Sequence, residues 1–267
     1  MTVLLQISDT HFGTERAPVV EALVALSAAQ RPDLVVLSGD ITQRARRGQY
    51  RSARAFVDRL GAPLLAIPGN HDIPLFDPLS RLLQPYAHHR AAFGDDLEPI
   101  HSSVDLLVVG VNSTRWYRHK HGEVSAQQID QVATRLASAT PGQLRIVVVH
   151  HPVAVPQADE KHNLLRCAGP ALQRWAQAGG DLVMGGHIHL PCVIALQGLA
   201  RPMWAVQAGT ALSSRVRDGQ PNSVNLLRWG RDAPAGRCVI ERWDCGARGP
   251  AFVCASTEDV TPGSSRR

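Results

Sequence analysis

The sequence predicts an α/β fold, and three observations about the order of its apolar segments support this prediction. Short apolar runs rich in β-branched residues recur between residues 3 and 184. Amphipathic segments of helical period lie between these runs, as in a parallel sheet whose faces are covered by helices. After residue 189 the helical segments stop, and strands joined by Gly, Pro and Asp turns follow one another. We therefore expect the C-terminal strands to form a second, mostly antiparallel sheet.

The first half of the chain contains predicted strands that alternate with helices. In chain order these are a strand at 3–7, a helix at 17–30, a strand at 34–37, a helix at 49–60, a strand at 64–67 and a helical region at 77–93. The first helix carries an apolar stripe that includes Val19, Leu23 and Leu26. Pro32 ends this helix, because proline disfavours helical backbone in the residue before it.

The second half continues this alternation and then becomes strand-rich. The predicted elements are a strand at 106–111, a helix at 125–139, a strand at 144–149, a helix at 164–178, and strands at 182–184, 193–196, 203–207, 224–228 and 238–243. Ser125 is the predicted N-cap of the helix that it begins. Residues 256–267 lack a strand pattern and are expected to be a disordered tail. Because the sequence shows no internal repeat and no linker, we expect residues 1–255 to form one domain.

Composition limits the classes of function. Of the 267 residues 44% are hydrophobic, which is sufficient for a sizeable core, and the net charge is +5. This charge favours anionic small molecules but is too low to predict a nucleic-acid partner. Five cysteines without a CxxC pair indicate a reduced intracellular protein. No leader sequence and no run of ~18 apolar residues is present, so we expect a cytoplasmic protein that does not cross a membrane.

Five short polar segments each follow directly on one of the apolar runs. They are Asp9-Thr10-His11, Gly39-Asp40, Gly69-Asn70-His71-Asp72, His150-His151 and Gly186-His187-Ile188-His189. If the runs before them are parallel strands of one sheet, all five segments meet at one edge, because the carboxyl ends of such strands lie together. The small residues between strand and polar side chain let the backbone approach a ligand closely.

The side chains in these segments predict a site for two metal ions. Asp9 and His11 are two residues apart and lie on the same side in extended geometry, so both can bind one ion. Asp40 is the candidate bridge, since two cations about 4 Å apart need a shared anion between them. Oxygen and nitrogen ligands without thiolate suit Mn, Fe or Zn. The pattern indicates a two-metal hydrolase.

The order and spacing of the five segments resemble the calcineurin-like metallophosphoesterase superfamily over residues 9–189. The resemblance implies a four-layer αββα sandwich of two mixed sheets. It implies two metals, manganese or iron with zinc as an alternative, held in two ligand sets. One set is Asp9, His11, Asp40 and His189, and the other is Asp40, Asn70, His150 and His187. It also implies that His71 faces the scissile phosphate as a general acid or charge stabiliser, and that Asn70 and His71 contact the substrate.

Within the superfamily, the compact length and the His-His-Pro sequence at 150–152 are similar to class III cyclic nucleotide phosphodiesterases. This likeness implies attack on a small nucleotide by a hydroxide held between the two metals. Phosphoprotein phosphatases have an aspartate three residues after the bridging aspartate, where this chain has Gln43. That activity is therefore disfavoured.

Several alternatives stay open. The alternative enzymatic function is that of a broad-specificity phosphomonoesterase or phosphodiesterase without a preference for cyclic nucleotides. The alternative without catalysis is a metal-binding scaffold. A nuclease or a nucleotide-lipid pyrophosphatase would need a docking domain or an amphipathic segment that the sequence lacks. A homodimer is also open, since no segment marks an interface.

Other residues near the motifs have plain structural interpretations. His151 and Asp72 are expected to orient the site rather than bind metal. The arginines between Arg44 and Arg54 are favoured as a solvated helix face over a phosphate-attracting rim. Residues 116–121 are either a surface loop or a platform for a nucleobase. Arg215 and Arg217 lie in a segment that returns towards the site and are weak candidates for substrate contact.

Overall fold

The computed structural model describes residues 1–217, 219–230, 237–246 and 250–263. The strands in this part are β1 (Thr2–Ile7), β2 (Leu34–Ser38), β3 (Leu64–Ile67), β4 (Ile100–Ser102), β5 (Leu106–Gly110), β6 (Leu144–Val148), β7 (Leu182–Gly185), β8 (Cys192–Ala195), β9 (Trp204–Gln207), β10 (Ser223–Trp229), β11 (Cys238–Cys245) and β12 (Phe252–Val260). The helices are α1 (Ala17–Gln30), α2 (Arg47–Asp58), α3 (Pro78–Leu83), α4 (Ala87–Phe93), α5 (Ala126–Ala137) and α6 (Ala168–Gln177).

The strands form two six-stranded sheets. The first has the order β12-β11-β10-β1-β2-β3 and the second β4-β5-β6-β7-β9-β8. In the first sheet β1, β2 and β3 are parallel, whereas β10 pairs antiparallel with β1 and β11 and β12 continue that antiparallel half. In the second sheet β5, β6, β7 and β9 are parallel, with β4 and β8 antiparallel at its two edges.

The two sheets pack face to face and helices cover their outer faces. Leu4, Val36, Val108 and Ile146 belong to the buried cluster between the sheets. A second cluster joins the outer face of the first sheet to α1 and α2, and a third joins the outer face of the second sheet to α5 and α6. Because both faces of the central strands are covered, their sequences are almost continuously apolar. The predicted four-layer αββα architecture is confirmed.

The helices begin and end at residues that explain their bounds. The hydroxyl of Ser125 accepts a hydrogen bond from the backbone N–H of Gln128 at 3.1 Å, as predicted for the N-cap of α5. The predicted helical region at 77–93 is two helices, since Pro85 disfavours helical backbone at Gln84 before it. None of the helices in the described residues is long and apolar enough to cross a membrane.

The predicted strand pairing needs two corrections. The strands that precede the metal-ligand segments are not in one sheet: β1, β2 and β3 lie in the first sheet, and β6 and β7 lie in the second. The C-terminal strands do not form a separate antiparallel sheet either. β8 and β9 extend the second sheet, while β10, β11 and β12 complete the first. An apolar run shows that a strand is buried but not which neighbour it pairs with, so the pattern leaves this choice open.

The predicted disordered tail is wrong for its first residues. Residues 256–260 belong to β12, which pairs antiparallel with β11, and the register of this pairing shifts between Arg242 and Trp243 of β11. Val260 is 3% exposed and packs in the cluster between the sheets. The polar sequence of β12 follows from its edge position, where most of its side chains face solvent. Residues 264–267 of the predicted tail lie outside the described part of the chain.

A pair of substitutions tests whether β12 is part of the folded core. Val260→Asp places a carboxylate in the apolar layer between the sheets, and we expect it to lower the free energy of unfolding by about 3 kcal/mol. Val253→Asp is the matched control, because Val253 is 57% exposed on the same strand. Urea denaturation of both variants measures the difference. Equal stability of the two would contradict the packing of β12.

Candidate metal centre

All seven predicted metal-ligand residues meet at one rim, where the carboxyl ends of β1, β2, β3, β6 and β7 converge. Backbone hydrogen bonds join the loops that follow these strands. Asp9 N–H donates to the carbonyl of Gly39 at 3.1 Å, and Gly186 N–H donates to the carbonyl of His150 at 2.9 Å. The backbone N–H of His187 donates to the Asp9 carboxylate at 3.0 Å. Segments far apart in sequence are thus fixed to one another through their main chains.

The ligand side chains fall into two groups that share Asp40. Asp9 lies with His11 and His189, and the distance from its Oδ1 to His189 Nε2 is 3.2 Å. Asp40 lies with His150 and His187, and also with His11 and His71. Its Oδ1 is 3.2 Å from His150 Nε2, and its Oδ2 is 3.8 Å from His11 Nε2. The two oxygens of one carboxylate therefore face imidazoles of different groups.

Hydrogen bonds from outside the cluster set which nitrogen of two histidines faces inwards. Nδ1 of His150 lies 2.9 Å from the carbonyl of Ser38, and Nδ1 of His189 lies 2.7 Å from the carbonyl of Arg215. A carbonyl only accepts, so Nδ1 carries the proton in both rings. Nε2 is then the inward-facing nitrogen whose electron pair can bind a metal ion. This is the arrangement of metal-binding histidines, whose second nitrogen is held by an outer partner.

Buried atoms without hydrogen-bond partners test whether this donor set fits metal ions. Asn70 Oδ1 is buried and has no hydrogen-bond partner, and the buried His150 Nε2 has only the Asp40 carboxylate beside it. His11 Nε2 and His189 Nε2 are 3.1 Å apart. Electron pairs at these short separations repel unless a proton or cation lies among them. Clustered imidazole, carboxylate and amide donors fit first-row transition metal ions, and we conclude that the residues match such a centre.

The backbone at this rim adopts an unusual conformation. Positive φ values occur at Asp9 (52°), His11 (43°), Asp40 (48°), His187 (75°) and His189 (54°). Left-handed backbone is uncommon outside glycine, although Asn, Asp and His tolerate it better than other residues. Such strained residues persist where the surrounding structure enforces them, and they concentrate at functional sites.

Two glycines allow the loops to approach one another. A Cβ atom at Gly69 would collide with the backbone nitrogen of Asp40, and one at Gly186 would collide with Ser8 Oγ and the Asp9 carboxylate. Only glycine therefore fits at these two positions while the loops of the cluster lie this close together. They explain why glycine precedes a ligand in these two segments.

The charges of the cluster follow from burial and from the close carboxylates. Burial raises the pKa of Asp40, but the neighbouring His150, His71 and His11 together outweigh it and hold that pKa well below its usual range. Burial opposes protonation of His150, yet the Asp40 carboxylate raises the pKa of His150 to about 9. Burial lowers the pKa of His11 to about 3 and that of His187 well below its usual value. Ionised carboxylates and neutral imidazoles are the forms that bind metal, so a metal ion at His150 would displace the proton that Asp40 stabilises there.

Asp72 and His151 have the supporting positions that the sequence predicts. The Asp72 carboxylate accepts from the backbone N–H groups of Ile41 at 3.0 Å, Thr42 at 2.8 Å and Gly69 at 2.8 Å. It thereby ties the loop of Asp40 to the loop of Asn70. His151 is turned away from the carboxylates, with Nδ1 2.8 Å from Ser113 Oγ and Nε2 3.1 Å from the carbonyl of Lys120.

A cavity of about 530 Å³ opens beside the ligand cluster. The described residues that line it are Asp40, Asn70, His71, His119, Lys120, Glu160, His162, Asn163, His187, Ile188, His189, Arg215 and Arg217. Trp116 and Tyr117 are exposed, pack edge to face on one another and do not line the cavity. The imidazole and cationic groups of this lining suit an anionic substrate.

The basic cluster after Asp40 contributes nothing to this lining. Arg46, Arg47 and Arg51 are exposed, and Arg54 forms an i,i+4 ion pair with Asp58. Arg44 stacks on the ring of Phe76 at 4.9 Å. The solvated-face interpretation of these arginines therefore agrees with the structure.

Arg215 reaches the site from the segment after β9, where no ligand motif marks it. Its Nη1 lies 3.0 Å from Gln43 Oε1 and 3.1 Å from His71 Nε2. From the sequence, Arg215 and Arg217 are equal candidates for substrate contact, because both lie in the same segment. The structure separates them, since Arg217 forms an ion pair with Glu160.

The chain is similar in sequence to known phosphoesterases. A family profile described as calcineurin-like phosphoesterase matches residues 2–191. A cAMP/cGMP dual specificity phosphodiesterase of Mycobacterium tuberculosis is 28% identical over 216 residues, which are 70% of this chain and 61% of that protein. The match thus spans less than two thirds of that relative. A 3',5'-cyclic adenosine monophosphate phosphodiesterase of Escherichia coli is 27% identical over 225 residues, 76% of each chain.

Solved structures share the fold at lower identity. A dimetal phosphatase from Danio rerio superposes with a TM-score of 0.68 at 16% identity, covering 99% of both chains. A purple acid phosphatase from yellow lupin superposes with a TM-score of 0.73 at 12% identity, covering 97% of this chain and 53% of that one. At these identities the likeness establishes the fold alone.

The anchoring role of Asp72 is open to a direct test. Asp72→Ala leaves three buried backbone N–H groups without their acceptor, so we expect it to lower the free energy of unfolding by about 2–4 kcal/mol. Asp58→Ala is the matched control, because Asp58 is exposed and its ion pair with Arg54 is a surface pair. Denaturant unfolding compares the two, and a loss no larger than that of the control would rule out the anchoring role.

Proposed function

The chain belongs to the calcineurin-like phosphoesterase family, and on this premise we propose that it is a two-metal phosphodiesterase acting on small nucleotides, cyclic nucleotides in particular. One observation carries the proposal: the two oxygens of Asp40 face the imidazoles of His150 and His11, which belong to different ligand groups. A carboxylate in this position suits a bridge between two cations. Both relatives described above are named as cyclic nucleotide phosphodiesterases, which supports the choice of substrate.

Two residue sets would hold the metals. The first is Asp9, His11, Asp40 and His189, and the second is Asp40, Asn70, His150 and His187. When bound, such a pair supplies an activated water and neutralises charge on the phosphoryl oxygens. The absence of thiolate from both sets favours manganese or iron, with zinc as an alternative.

His71 would act on the leaving group. Its backbone N–H donates to Asp40 Oδ1 at 2.9 Å, and its Nδ1 lies 3.1 Å from the carbonyl of Gln43. That carbonyl can only accept, so Nδ1 carries a proton and Nε2 is the atom that exchanges a proton with a bound substrate. A positioned imidazole of this kind contributes to catalysis by general acid–base chemistry. Asn70 adjoins it in the lining and would contact the substrate with it.

A specific feature of the cavity favours a second candidate function. Among the described residues that line it, none is Phe, Tyr or Trp. A nucleobase is commonly held by stacking on such rings. The lining therefore also suits a broad-specificity phosphomonoesterase or phosphodiesterase that has no preference for cyclic nucleotides.

A substrate panel tests the proposed function. The purified protein, loaded with Mn²⁺, is assayed on cAMP, cGMP, bis(p-nitrophenyl) phosphate and p-nitrophenyl phosphate. We expect hydrolysis of the diesters, with the cyclic nucleotides turned over at the higher kcat/KM. Activity on the monoester alone would contradict a phosphodiesterase. Two bound metals without hydrolysis of any of the four would instead favour a non-catalytic scaffold.

The bridging role of Asp40 is tested by metal content. We expect Asp40→Ala to lose both metals and at least about 10³-fold in kcat/KM, because one carboxylate contributes to both ligand sets. His71→Ala is the comparison, since it removes a neighbouring imidazole that belongs to neither set. We expect this variant to keep its metals while losing activity. Metal analysis by mass spectrometry decides, and two metals retained in Asp40→Ala would show that the bridge is assigned wrongly.

A further inference from the structure

The guanidinium of Arg215 lines the cavity beside His71 and His11. Nη1 is 3.1 Å from His71 Nε2 and 3.5 Å from His11 Nδ1. It also donates to Gln43 Oε1 at 3.0 Å. A cation beside two imidazoles gains no charge neutralisation from them, so these contacts do not by themselves explain its position.

Arg215 has no ion-pair partner among the described residues, which distinguishes it from the second arginine of the lining. Arg217 is neutralised by the Glu160 carboxylate, and Asn163 holds that carboxylate in place. The hydrogen bonds of the Arg215 guanidinium to described residues all involve Nη1. An arginine presents five N–H donors in a fixed fork that matches the oxygens of a phosphate. The remaining donors of Arg215 are therefore able to bind an anion in the cavity.

The backbone of the same residue is fixed to the metal centre. The carbonyl of Arg215 accepts from Nδ1 of His189 at 2.7 Å and from Thr210 Oγ1 at 3.2 Å. Its N–H donates to Ser213 Oγ at 3.2 Å. The guanidinium thus extends from a backbone position that the ligand His189 itself holds. A donor fixed in place before the reaction stabilises developing charge better than one that must reorganise.

We propose that Arg215, beside His71, contacts the phosphoryl oxygens of the substrate and stabilises the charge that develops on them. This inference rests on the proposed function, since it concerns the same site. It assigns a substrate-contacting cation that no ligand motif contains. The same contact would hold free inorganic phosphate, because the chemistry recognised is a tetrahedral oxyanion.

The test compares Arg215→Gln and Arg215→Lys with the metal-loaded wild-type protein. For bis(p-nitrophenyl) phosphate we expect Arg215→Gln to lose about 10²-fold in kcat, as for removal of one oxyanion donor. We expect Arg215→Lys to retain an intermediate rate. Arg51→Gln is the comparison and should keep the wild-type rate, because Arg51 is exposed and does not line the cavity. Metal content should match the wild type in all variants, since the backbone carbonyl that orients His189 is unchanged.

Binding of inorganic phosphate provides a second readout that does not depend on turnover. Isothermal titration of the metal-loaded proteins should show about 10-fold weaker phosphate binding by Arg215→Gln than by wild type. Unchanged kcat and phosphate affinity would overturn the proposal, as would loss of metal along with activity. If wild type hydrolyses no ester of the panel, the proposed function fails. The phosphate titration still decides the role of Arg215 in that case.

Discussion

The site depends on one electrostatic constraint, the burial of the Asp9 and Asp40 carboxylates at the rim between the two sheets. Both are nearly inaccessible to solvent, at 0% and 2% exposure. A carboxylate removed from water is stable only if positive charge or hydrogen-bond donors replace its hydration. Backbone N–H groups supply part of this, and a proton or a cation shared with the surrounding imidazoles supplies the rest. The donor set is therefore complementary to cations, and the loops around it serve to hold it together.

The fold meets this constraint through its main chain. The loops after β1, β2, β3, β6 and β7 are tied to one another by backbone hydrogen bonds and by the Asp72 carboxylate. Five of the seven ligand residues have left-handed backbone, and the strands before them belong to different sheets. Carbonyl groups of Ser38 and Arg215 then fix the inward nitrogens of His150 and His189. The backbone thus sets the direction of these side chains, and the chemistry of metal binding accounts for their residue types.

The sequence predicts the elements better than their arrangement. Apolar runs and the stop at Pro32 locate α1 and the ligand-bearing strands closely, because these signals are local. Strand pairing depends on residues far apart in sequence. The pattern of apolar residues therefore did not predict that the C-terminal strands are divided between two sheets. The solvent-facing residues of an edge strand similarly made 256–260 resemble a disordered tail. At the site, the ligands were predicted because they recur in short motifs. The position of Arg215 beside His71 depends on the path of a loop and carries no such signal.

The pairing of β1 with β10 has a consequence for synthesis of the protein. β1 precedes the other described strands in the chain, yet its antiparallel neighbour contains Trp229, which pairs with Thr2. Until that residue is made, one edge of an almost wholly apolar strand has no partner. All the ligand segments are translated before this edge is closed. From the synthesis of β1 until that of β10 the nascent chain therefore carries an open sheet, the state in which chaperones bind and mispairing begins.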